Sequence, residues 1–320
     1  MHRHRFLWAA LLAMTLSGCG LNPLGFMGGE GGGKATAESA DLAPAGKFTL
    51  ATYNVENLFD GSNTVLDPKT SPAKSHEDKQ ALASAMRELN ADVVGLVEVE
   101  SKATLRNFRD AYLADMGYKH MALVEGNDGR GIDVAVLSRF PITHIKSHKN
   151  AEFGVPGAPT PQQLSRDLLQ VQIKPGKGYS FTVFMTHLKA HAGGAQADAK
   201  RKAEAMEIRR ILRDFEGQNP RANYALMGDF NDQPTTETLK VFLEGRDRDP
   251  SLYDALSELG VSAFTYHPAK YRGRIDYILL SQGIKQEYVP NSATILDTPD
   301  AQQASDHLPA KVTIDATRDR

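Results

Sequence analysis

Six short polar motifs stand beside hydrophobic runs of this chain, and their side chains are mainly carboxylates, amides and imidazoles. Ionisable groups next to apolar segments are costly to bury unless they are paired or bound to a ligand. Each motif alone is also explained by an ordinary strand end, turn or loop, but six of them together indicate a shared site. The motifs are Tyr53-Asn54-Val55-Glu56-Asn57, Val97-Glu98-Val99-Glu100, Thr186-His187-Leu188-Lys189, Met227-Gly228-Asp229-Phe230-Asn231-Asp232, Arg274-Ile275-Asp276-Tyr277 and Ser305-Asp306-His307-Leu308-Pro309.

These residue types suit the hydrolysis of a phosphodiester. That reaction needs an activated water, charge stabilisation on the phosphoryl oxygens and a proton for the leaving alkoxide. Carboxylate and amide oxygens are hard ligands, which favour Mg²⁺ over a soft metal. The motifs therefore predict a metal-assisted hydrolytic site.

Hydrophobic patterning places the motifs in an α/β domain. Strands are predicted over 48–53, 93–99, 118–124, 132–138, 142–147, 167–173, 179–186, 224–228, 275–280 and 309–314. Helices are predicted over 76–90, where Ser75 and Asp78 form the cap, over 105–116, closed by Gly117, and over 197–215. Because the strands between 118 and 186 follow one another without helices, a simple doubly wound sheet is excluded. Two sheets packed face to face, with helices outside, fit better.

The motifs resemble those of the endonuclease/exonuclease/phosphatase superfamily, which contains DNase I, AP endonucleases, sphingomyelinases and inositol polyphosphate 5-phosphatases. The resemblance runs from Thr52 to His307 in the family's motif order. Within the superfamily, the segments Tyr53–Phe59 and Arg130–Leu137 look like those of DNase I-like bacterial and mycoplasma surface nucleases. The implied fold is a four-layer α/β sandwich, in which two packed mixed β-sheets are flanked by helices.

The resemblance implies a metal site and assigns its ligands. It implies Mg²⁺, with Mn²⁺ or Ca²⁺ as alternatives. Glu98 is the implied principal ligand, Asn54 and Asp306 complete or adjoin the shell, and Glu56 assists.

The resemblance also implies catalytic roles. His307 is expected to be backed by Asp276, which fixes the tautomer and raises the basicity of the ring. Asp229 and Asn231 are expected to position the water and hold the phosphate oxygens, while His187 contacts the scissile phosphate. Which histidine acts as the base stays open. Glu125, at the end of the strand 118–124, is expected to support His187, with a plain loop acid as the alternative.

A net charge of −2 excludes a general affinity for polyanions, so nucleic acid must bind through a local basic patch. The candidate cations are Arg130, Lys189, Arg201 and Arg274. Lys189 follows His187 by two residues on an extended segment and should share its side. Arg274 is favoured because it neighbours Asp276. For Arg201, a solvated helix face is an equal alternative.

The N-terminus has the pattern of an export signal. His2–Arg5 is basic, and the apolar run Phe6–Met14 is too short to span a bilayer as a mature helix. Leu16-Ser17-Gly18-Cys19 resembles the lipobox of bacterial lipoproteins, whose cysteine is acylated; an ordinary secretory signal with a chance cysteine is the alternative. The predicted organisation is a signal peptide over 1–18, a lipidated Cys19 with a Gly-rich tether over 19–46, a catalytic body over 47–315 and a tail over 316–320.

These features predict an exported, monomeric envelope lipoprotein at the outer membrane or cell surface, touching the membrane only through its lipid. Its expected activity is metal-dependent cleavage of DNA with low sequence specificity, and RNA stays open as a substrate. A sphingomyelinase-like phospholipid phosphodiesterase is the main alternative. The only tryptophan, Trp8, lies in the signal segment, whereas interfacial lipid enzymes use exposed aromatics. An inactive scaffold is the third reading, which the complete motif set opposes.

Overall fold

The computed structural model describes residues 42–61, 72–245 and 251–319. The predicted signal segment, Cys19 and most of the tether lie outside these ranges, so lipidation and the domain boundaries stay predictions. None of the helices in the described ranges combines the length and apolarity needed to cross a membrane.

All ten predicted strands are present, but the first continues five residues past its predicted end, and four two-residue strands in the described ranges were not predicted. In chain order they are β1 (Lys47–Leu58), β2 (Val93–Val99), β3 (His120–Leu123), β4 (Asp133–Ser138), β5 (Ile142–Ser147), β6 (Glu152–Phe153), β7 (Gln162–Gln163), β8 (Leu169–Gly176), β9 (Tyr179–His187), β10 (Tyr224–Asp229), β11 (Tyr253–Asp254), β12 (Asp276–Leu280), β13 (Thr294–Ile295) and β14 (Ala310–Asp315).

The helices are α1 (His76–Leu89), α2 (Lys102–Tyr112), α3 (Gly194–Gln218), α4 (Glu237–Leu243), α5 (Gln282–Lys285) and α6 (Pro299–Ala304). Ser75 caps α1 as predicted, because its Oγ accepts the Asp78 N–H at 3.0 Å. The second helix was predicted too late in the chain: Ser101 accepts the Thr104 N–H and starts α2 at Lys102. The short helices α4, α5 and α6 have too few turns to show a periodic pattern and were not predicted.

Two six-stranded sheets form the centre of the molecule, in the orders β13-β14-β1-β2-β4-β3 and β11-β12-β10-β9-β8-β5. Each is mixed. β1 and β2 are the parallel pair of the first sheet, and β9 and β10 are the parallel pair of the second. The C-terminal ends of both parallel pairs carry predicted site residues, so the topology places those residues at one end of the strands in each sheet.

The sheets pack face to face through an apolar core. Phe48 of β1 stacks on Phe181 of β9 with ring centroids 4.9 Å apart, and Leu50 and Met227 are buried in the same layer. Helices α1, α2 and α6 cover the outer face of the first sheet, and α3 and α4 cover that of the second. The expected four-layer α/β sandwich is confirmed.

Candidate active site

An open cleft of about 1000 Å³ lies where the two sheets end together. Its walls come from the ends of β1, β2, β9 and β10 and from the loops that lead into β12 and β14. Nine residues predicted from the sequence line this cleft, namely Asn54, Glu56, Glu98, Arg130, His187, Asp229, Asn231, Asp306 and His307. The structure therefore brings most of the predicted site into one space.

Glu98 reaches the cleft floor through a bulge in β2. The register of β2 against β4 shifts between Val97 and Val99, and Glu98 between them has φ +69°. A bulge of this kind re-aims one side chain. The Glu98 carboxylate accepts the Asn57 N–H at 3.1 Å through Oε2, while Oε1 lies 4.0 Å from His187 Nε2. Left-handed backbone at a non-glycine residue is costly and is concentrated at functional sites.

Asn54 connects the two sheets at the floor of the cleft. Its side-chain Nδ2 donates to Asp229 Oδ2 at 3.1 Å, and it lies 3.5 Å from Glu98 Oε1 and 3.4 Å from His307 Nε2. Its Oδ1 accepts the Glu56 N–H at 3.0 Å. This single buried amide thus fixes the spacing between a β1 residue and a β10 residue.

His307 and Asp276 form the expected carboxylate–imidazole pair. Asp276 Oδ2 lies 2.7 Å from His307 Nδ1, and Thr265 Oγ1 holds the Asp276 backbone by accepting its N–H at 3.0 Å. Burial alone lowers the pKa of His307, but the carboxylates of Asp276 and Asp229 outweigh it and raise that pKa above its ordinary value. His307 is therefore the cationic imidazole of the site.

His187 ends β9 and has the opposite electrostatic environment. Its Nε2 lies 3.5 Å from Asp229 Oδ2, and its buried Nδ1 has no hydrogen-bond partner among the described residues. Burial, followed by the positive charges of Arg166 and His307, lowers the pKa of His187 well below its ordinary value. His187 is therefore neutral where His307 is charged.

The expected support of His187 by Glu125 is wrong. β3 ends at Leu123, and the turn that follows leaves Glu125 exposed and outside the cleft lining. The buried carboxylate of this region is Asp133, which accepts the Gly126 N–H at 2.7 Å. Burial raises the pKa of Asp133 to about 7. The turn after β3 thus points Glu125 away from the cleft. Burial, and not a hydrogen bond from Glu125, keeps His187 in place.

Asp229 sits beside His187 because the two are register partners in the parallel pair β9–β10. A Cβ on Gly228 would lie 1.9 Å from the Thr186 carbonyl oxygen, so only glycine permits this close approach. Asp229 Oδ1 accepts the Asn231 N–H at 2.7 Å. Burial, and then the charge of Asp276, raise the pKa of Asp229 above its ordinary value.

The carboxylates of Glu56, Glu98 and Asp306 repel one another. Burial, together with the nearby charges of Glu56 and Glu98, raises the pKa of Asp306 to about 6, and Glu56 Oε2 accepts the Asp306 N–H at 2.9 Å. A group of hard oxygen donors that repel each other fits a divalent cation. Asn54 turns its amide nitrogen toward Glu98, so ligation by its oxygen requires the amide to flip.

A second group of potential ligands combines two residues of the cleft lining, Asp229 and His307, with Asp276 outside it. Asp229, Asp276 and His307 bring ligand atoms within 4.8 Å of one another. The hydrogen bond between Asp276 and His307 already occupies one atom of each of these two residues. The Glu98 group therefore has more donor atoms available for a cation than this second group.

Two of the four predicted substrate-binding cations are structural. Arg201 is buried, with Nε 3.0 Å from Asp232 Oδ2 and Nη2 2.7 Å from Asp198 Oδ1. It lies on the helix face that carries Ala205 and Ile208, which is the buried face of α3. The expectation that it contacts substrate is therefore wrong.

Arg274 is the other structural cation. It forms a two-pronged ion pair with Asp254 at 3.0 and 2.6 Å, is 7% exposed, and stacks over the Tyr277 ring. Of the remaining two, Arg130 is exposed and lines the cleft, whereas Lys189 is half-buried and does not line it.

The cleft contains cations and aromatic rings that the sequence interpretation missed. Arg166, Lys270 and Arg272 line it together with Tyr266 and Tyr271. Arg166 is buried, and its Nη1 donates to the Leu188 carbonyl at 3.2 Å. The spacing Tyr-x₃-Lys-Tyr-Arg just before the Arg-Ile-Asp-Tyr motif was a usable signal for this wall.

Glu204 was also missed. It is a buried glutamate of α3 beneath the cleft, and its two carboxylate oxygens accept the N–H groups of Ser165, at 2.8 Å, and Lys189, at 2.7 Å. Those segments carry Arg166 and His187. Glu204 therefore ties together two loops that supply cleft residues.

Solved structures with this fold come from several organisms. The human Nocturnin catalytic domain, solved with a bound sulfate anion, has 19% sequence identity and a TM-score of 0.59, covering 83% of this chain and 93% of that chain. An endonuclease/exonuclease/phosphatase from Bacteroides vulgatus has 17% identity and a TM-score of 0.59, covering 84% and 98%. ANGEL2, a 2′,3′-cyclic phosphatase, in complex with adenosine-2′,3′-vanadate, has 16% identity and a TM-score of 0.57, covering 86% and 97%.

At these identities the likeness to solved structures shows the fold. No curated protein sequence matches this chain. The model of the endonuclease/exonuclease/phosphatase family matches residues 49–309, a segment that holds every residue lining the cleft. The chain belongs to the endonuclease/exonuclease/phosphatase family.

Proposed function

We propose that this protein is a divalent-metal-dependent phosphodiesterase that cleaves nucleic acid, with DNA as the first candidate substrate. One observation carries the proposal: a neutral imidazole and a cationic imidazole face the same carboxylate oxygen. Asp229 Oδ2 lies 3.5 Å from Nε2 of neutral His187 and 3.8 Å from Nε2 of cationic His307. This arrangement provides a proton acceptor, a proton donor and positive charge within one small space.

The protonation states suggest a division of work. The raised pKa of Asp229 makes this carboxylate a better proton acceptor near neutral pH than an ordinary aspartate, so it suits activation of the attacking water. Protonated His307 places positive charge where a phosphoryl oxygen gains negative charge. Asn231, held against Asp229 by its backbone N–H, is placed to orient the water or the phosphate.

The metal in this proposal is Mg²⁺, held by Glu98 with Asp306, Glu56 and, after an amide flip, Asn54. When bound there, it supplies positive charge to the phosphoryl oxygens as a Lewis acid. The crowded carboxylates support this assignment, because they offer hard oxygen donors whose mutual repulsion a cation relieves.

The composition of the cleft wall supports a nucleic-acid substrate. Arg130, Lys270 and Arg272 can pair with backbone phosphates, while Tyr271, which is 64% exposed, offers a ring on which a base can stack. A small lipid headgroup would use neither an extended row of cations nor a stacking ring. ANGEL2, a 2′,3′-cyclic phosphatase solved in complex with adenosine-2′,3′-vanadate, is a protein of similar fold.

We extend the proposal to the location of the protein. The segment Leu16–Cys19 supports an exported lipoprotein anchored at the outer membrane or cell surface, where extracellular or periplasmic DNA would be the substrate. Radiolabelled palmitate should then be incorporated by the wild-type chain and not by Cys19→Ala. Incorporation that survives this substitution would contradict the anchor.

The activity is tested by incubating the purified protein with supercoiled plasmid, single-stranded RNA and sphingomyelin vesicles, each in Mg²⁺ and in EDTA. The proposal expects plasmid cleavage in Mg²⁺ and none in EDTA. Brisk sphingomyelin hydrolysis with intact plasmid would instead place the enzyme among lipid phosphodiesterases. Inactivity on all three substrates in Mg²⁺, Mn²⁺ and Ca²⁺ would favour a scaffold.

A further inference from the structure

A second groove lies on the flank of the molecule, outside the active-site cleft. It has a volume of about 330 Å³ and runs between helix α2 and the neighbouring edge strands β3 and β5. Its charged lining is basic: the cations are Lys102, Arg106, Arg109 and Lys119, and His120 lies beside them. Within the described part of the chain, no carboxylate lines this groove.

Three of these cations form a stripe along α2. Lys102, Arg106 and Arg109 stand at positions i, i+4 and i+7, which places them on one side of the helix. The adjoining side of the helix, with Leu105 and Phe108, packs into the core. The stripe is about 10 Å long, since a helix rises about 1.5 Å per residue.

The charges in this groove are poorly compensated. In the described ranges, no ion pair engages Lys102, Arg106 or Lys119, and all three are exposed. Arg109 pairs with Asp110 at 2.6 Å, but the Asp110 side chain does not line the groove. Elsewhere on this chain, whose net charge is −2, exposed arginines such as Arg87 and Arg210 have acidic partners on the surface. A concentration of positive charge on such a body indicates an anionic ligand.

The groove begins next to the active site along the chain. Lys102 follows Glu98 by four residues, and Ser101 between them caps α2. Four residues of fully extended chain span at most about 14 Å, so the Cα atom of Lys102, at the start of the stripe, lies within that distance of the Cα atom of Glu98. Phosphates of one duplex strand are spaced about 3.4 Å along the axis, so a stripe of about 10 Å spans about three of them.

We infer that this flank groove is a second binding site for the phosphodiester backbone of the substrate, an exosite that engages nucleic acid beyond the nucleotides held in the cleft. The inference rests on the proposed function for the identity of the polymer. It adds a length requirement: substrates too short to reach from Glu98 to Lys102 gain nothing from the groove. Long substrates gain affinity without any change in the chemical step.

The test replaces the stripe while keeping the helix, using the triple variant Lys102→Gln, Arg106→Gln and Arg109→Gln, because glutamine has a helix propensity close to that of lysine and arginine. The matched control removes the same charge from three exposed lysines at the opposite ends of the strands, Lys47→Gln, Lys177→Gln and Lys285→Gln. Binding of a fluorescent 30-nucleotide DNA is measured by anisotropy in EDTA, so the result does not depend on cleavage. Hydrolysis of bis(4-nitrophenyl) phosphate in Mg²⁺ reports on the cleft alone.

We expect the stripe variant to bind the long DNA about tenfold more weakly at low salt. The slope of log Kd against log salt should fall by about 2 to 3 units, because each lost contact between a cation and a phosphate lowers it by about one unit. The control variant should match wild type, and both variants should hydrolyse the small diester at the wild-type rate. Equal DNA binding by stripe variant, control and wild type would overturn the inference. If wild type does not hydrolyse the small diester, that result would count against the proposed function and not against the exosite.

An anionic membrane is the other polyanion that could fit this groove. Sedimentation with vesicles of phosphatidylglycerol and phosphatidylcholine separates the two. If the stripe variant loses vesicle binding while retaining wild-type affinity for DNA, the groove binds lipid and the exosite inference is wrong. If the stripe variant binds the vesicles as wild type does but binds DNA more weakly, the exosite inference is supported.

Discussion

Asp276 holds His307 through a 2.7 Å contact between Oδ2 and Nδ1, and the same imidazole turns its Nε2 toward Asp229 at 3.8 Å. The Asp276 carboxylate therefore fixes the imidazole at Nδ1, while the Asp229 carboxylate faces its Nε2. Both charges raise the pKa of His307 against the effect of burial. The cationic state of His307 thus depends on a residue that lies outside the cleft lining.

Asp276→Asn should lower the pKa of His307 and reduce stability in a pH-dependent way. Because that pKa is raised in the folded state, the pair stabilises the protein fully below the unfolded value of about 6.5 and loses this contribution as pH rises through the raised value. The difference in unfolding free energy between wild type and variant should therefore be largest in acid and shrink in alkali. Urea denaturation in EDTA across this pH range measures it; a difference that grows with pH would contradict the pairing.

Glu98→Gln should lower the rate of DNA cleavage by about 100-fold or more at low Mg²⁺, since it retains the shape but removes the charge of the proposed principal ligand. The loss should be partly recovered at high Mg²⁺. Rates are measured across a Mg²⁺ titration, with the exposed Glu88→Gln as the matched control. A Glu98 variant with the wild-type Mg²⁺ dependence would refute this ligand assignment.

Arg274→Ala should destabilise the protein by about 3 to 5 kcal/mol, because it leaves Asp254 buried without its ion-pair partner. At temperatures where the variant is folded, its KM for DNA should equal that of wild type. Arg130→Ala is the contrasting variant: it should change stability by less than about 0.5 kcal/mol and raise the KM for DNA. If Arg274→Ala instead raises the KM for DNA and leaves stability nearly unchanged, Arg274 is a substrate-binding residue.

Glu204→Gln should lower kcat more than stability alone explains. A glutamine offers one acceptor and one NH₂ group to two backbone N–H donors, so one of the contacts to Ser165 or Lys189 is lost, at a cost of about 1 to 3 kcal/mol. Glu207→Gln, a buried glutamate of the same helix that pairs with Arg210, is the matched control and should lose stability without losing kcat. Equal kcat values for the two variants would remove the positioning role of Glu204.

The fold was accessible from the sequence because its strands are strongly apolar and its consecutive strands rule out a doubly wound sheet. Gly228 and Ser305 lie within short motifs whose local geometry is fixed by the neighbouring backbone, so Asp229 and His307 were placed correctly beside the cleft. The local sequence predicts these positions, because the residues of each motif themselves form the turn that orients its side chains.

The substrate-binding cations were harder to predict because partners far along the chain decide their exposure. Arg274 is neutralised by Asp254, twenty residues earlier, and no periodic pattern connects the two. Arg201 could have been assigned better, since its spacing from Ala205 and Ile208 places it on the buried face of α3. Glu125 failed for a local reason, because the strand ends before it.

The central claim is that the cleft around Asp229 hydrolyses the phosphodiester backbone of nucleic acid. The most direct test compares the plasmid-cleavage rate in Mg²⁺ of wild type and Asp229→Asn as a function of pH. The account predicts that the wild-type rate falls in acid as the raised pKa of Asp229 is crossed, and that the variant is slower by about 100-fold or more above that pKa, with the difference shrinking in acid. A folded Asp229→Asn variant that cleaves plasmid at the wild-type rate would contradict the account.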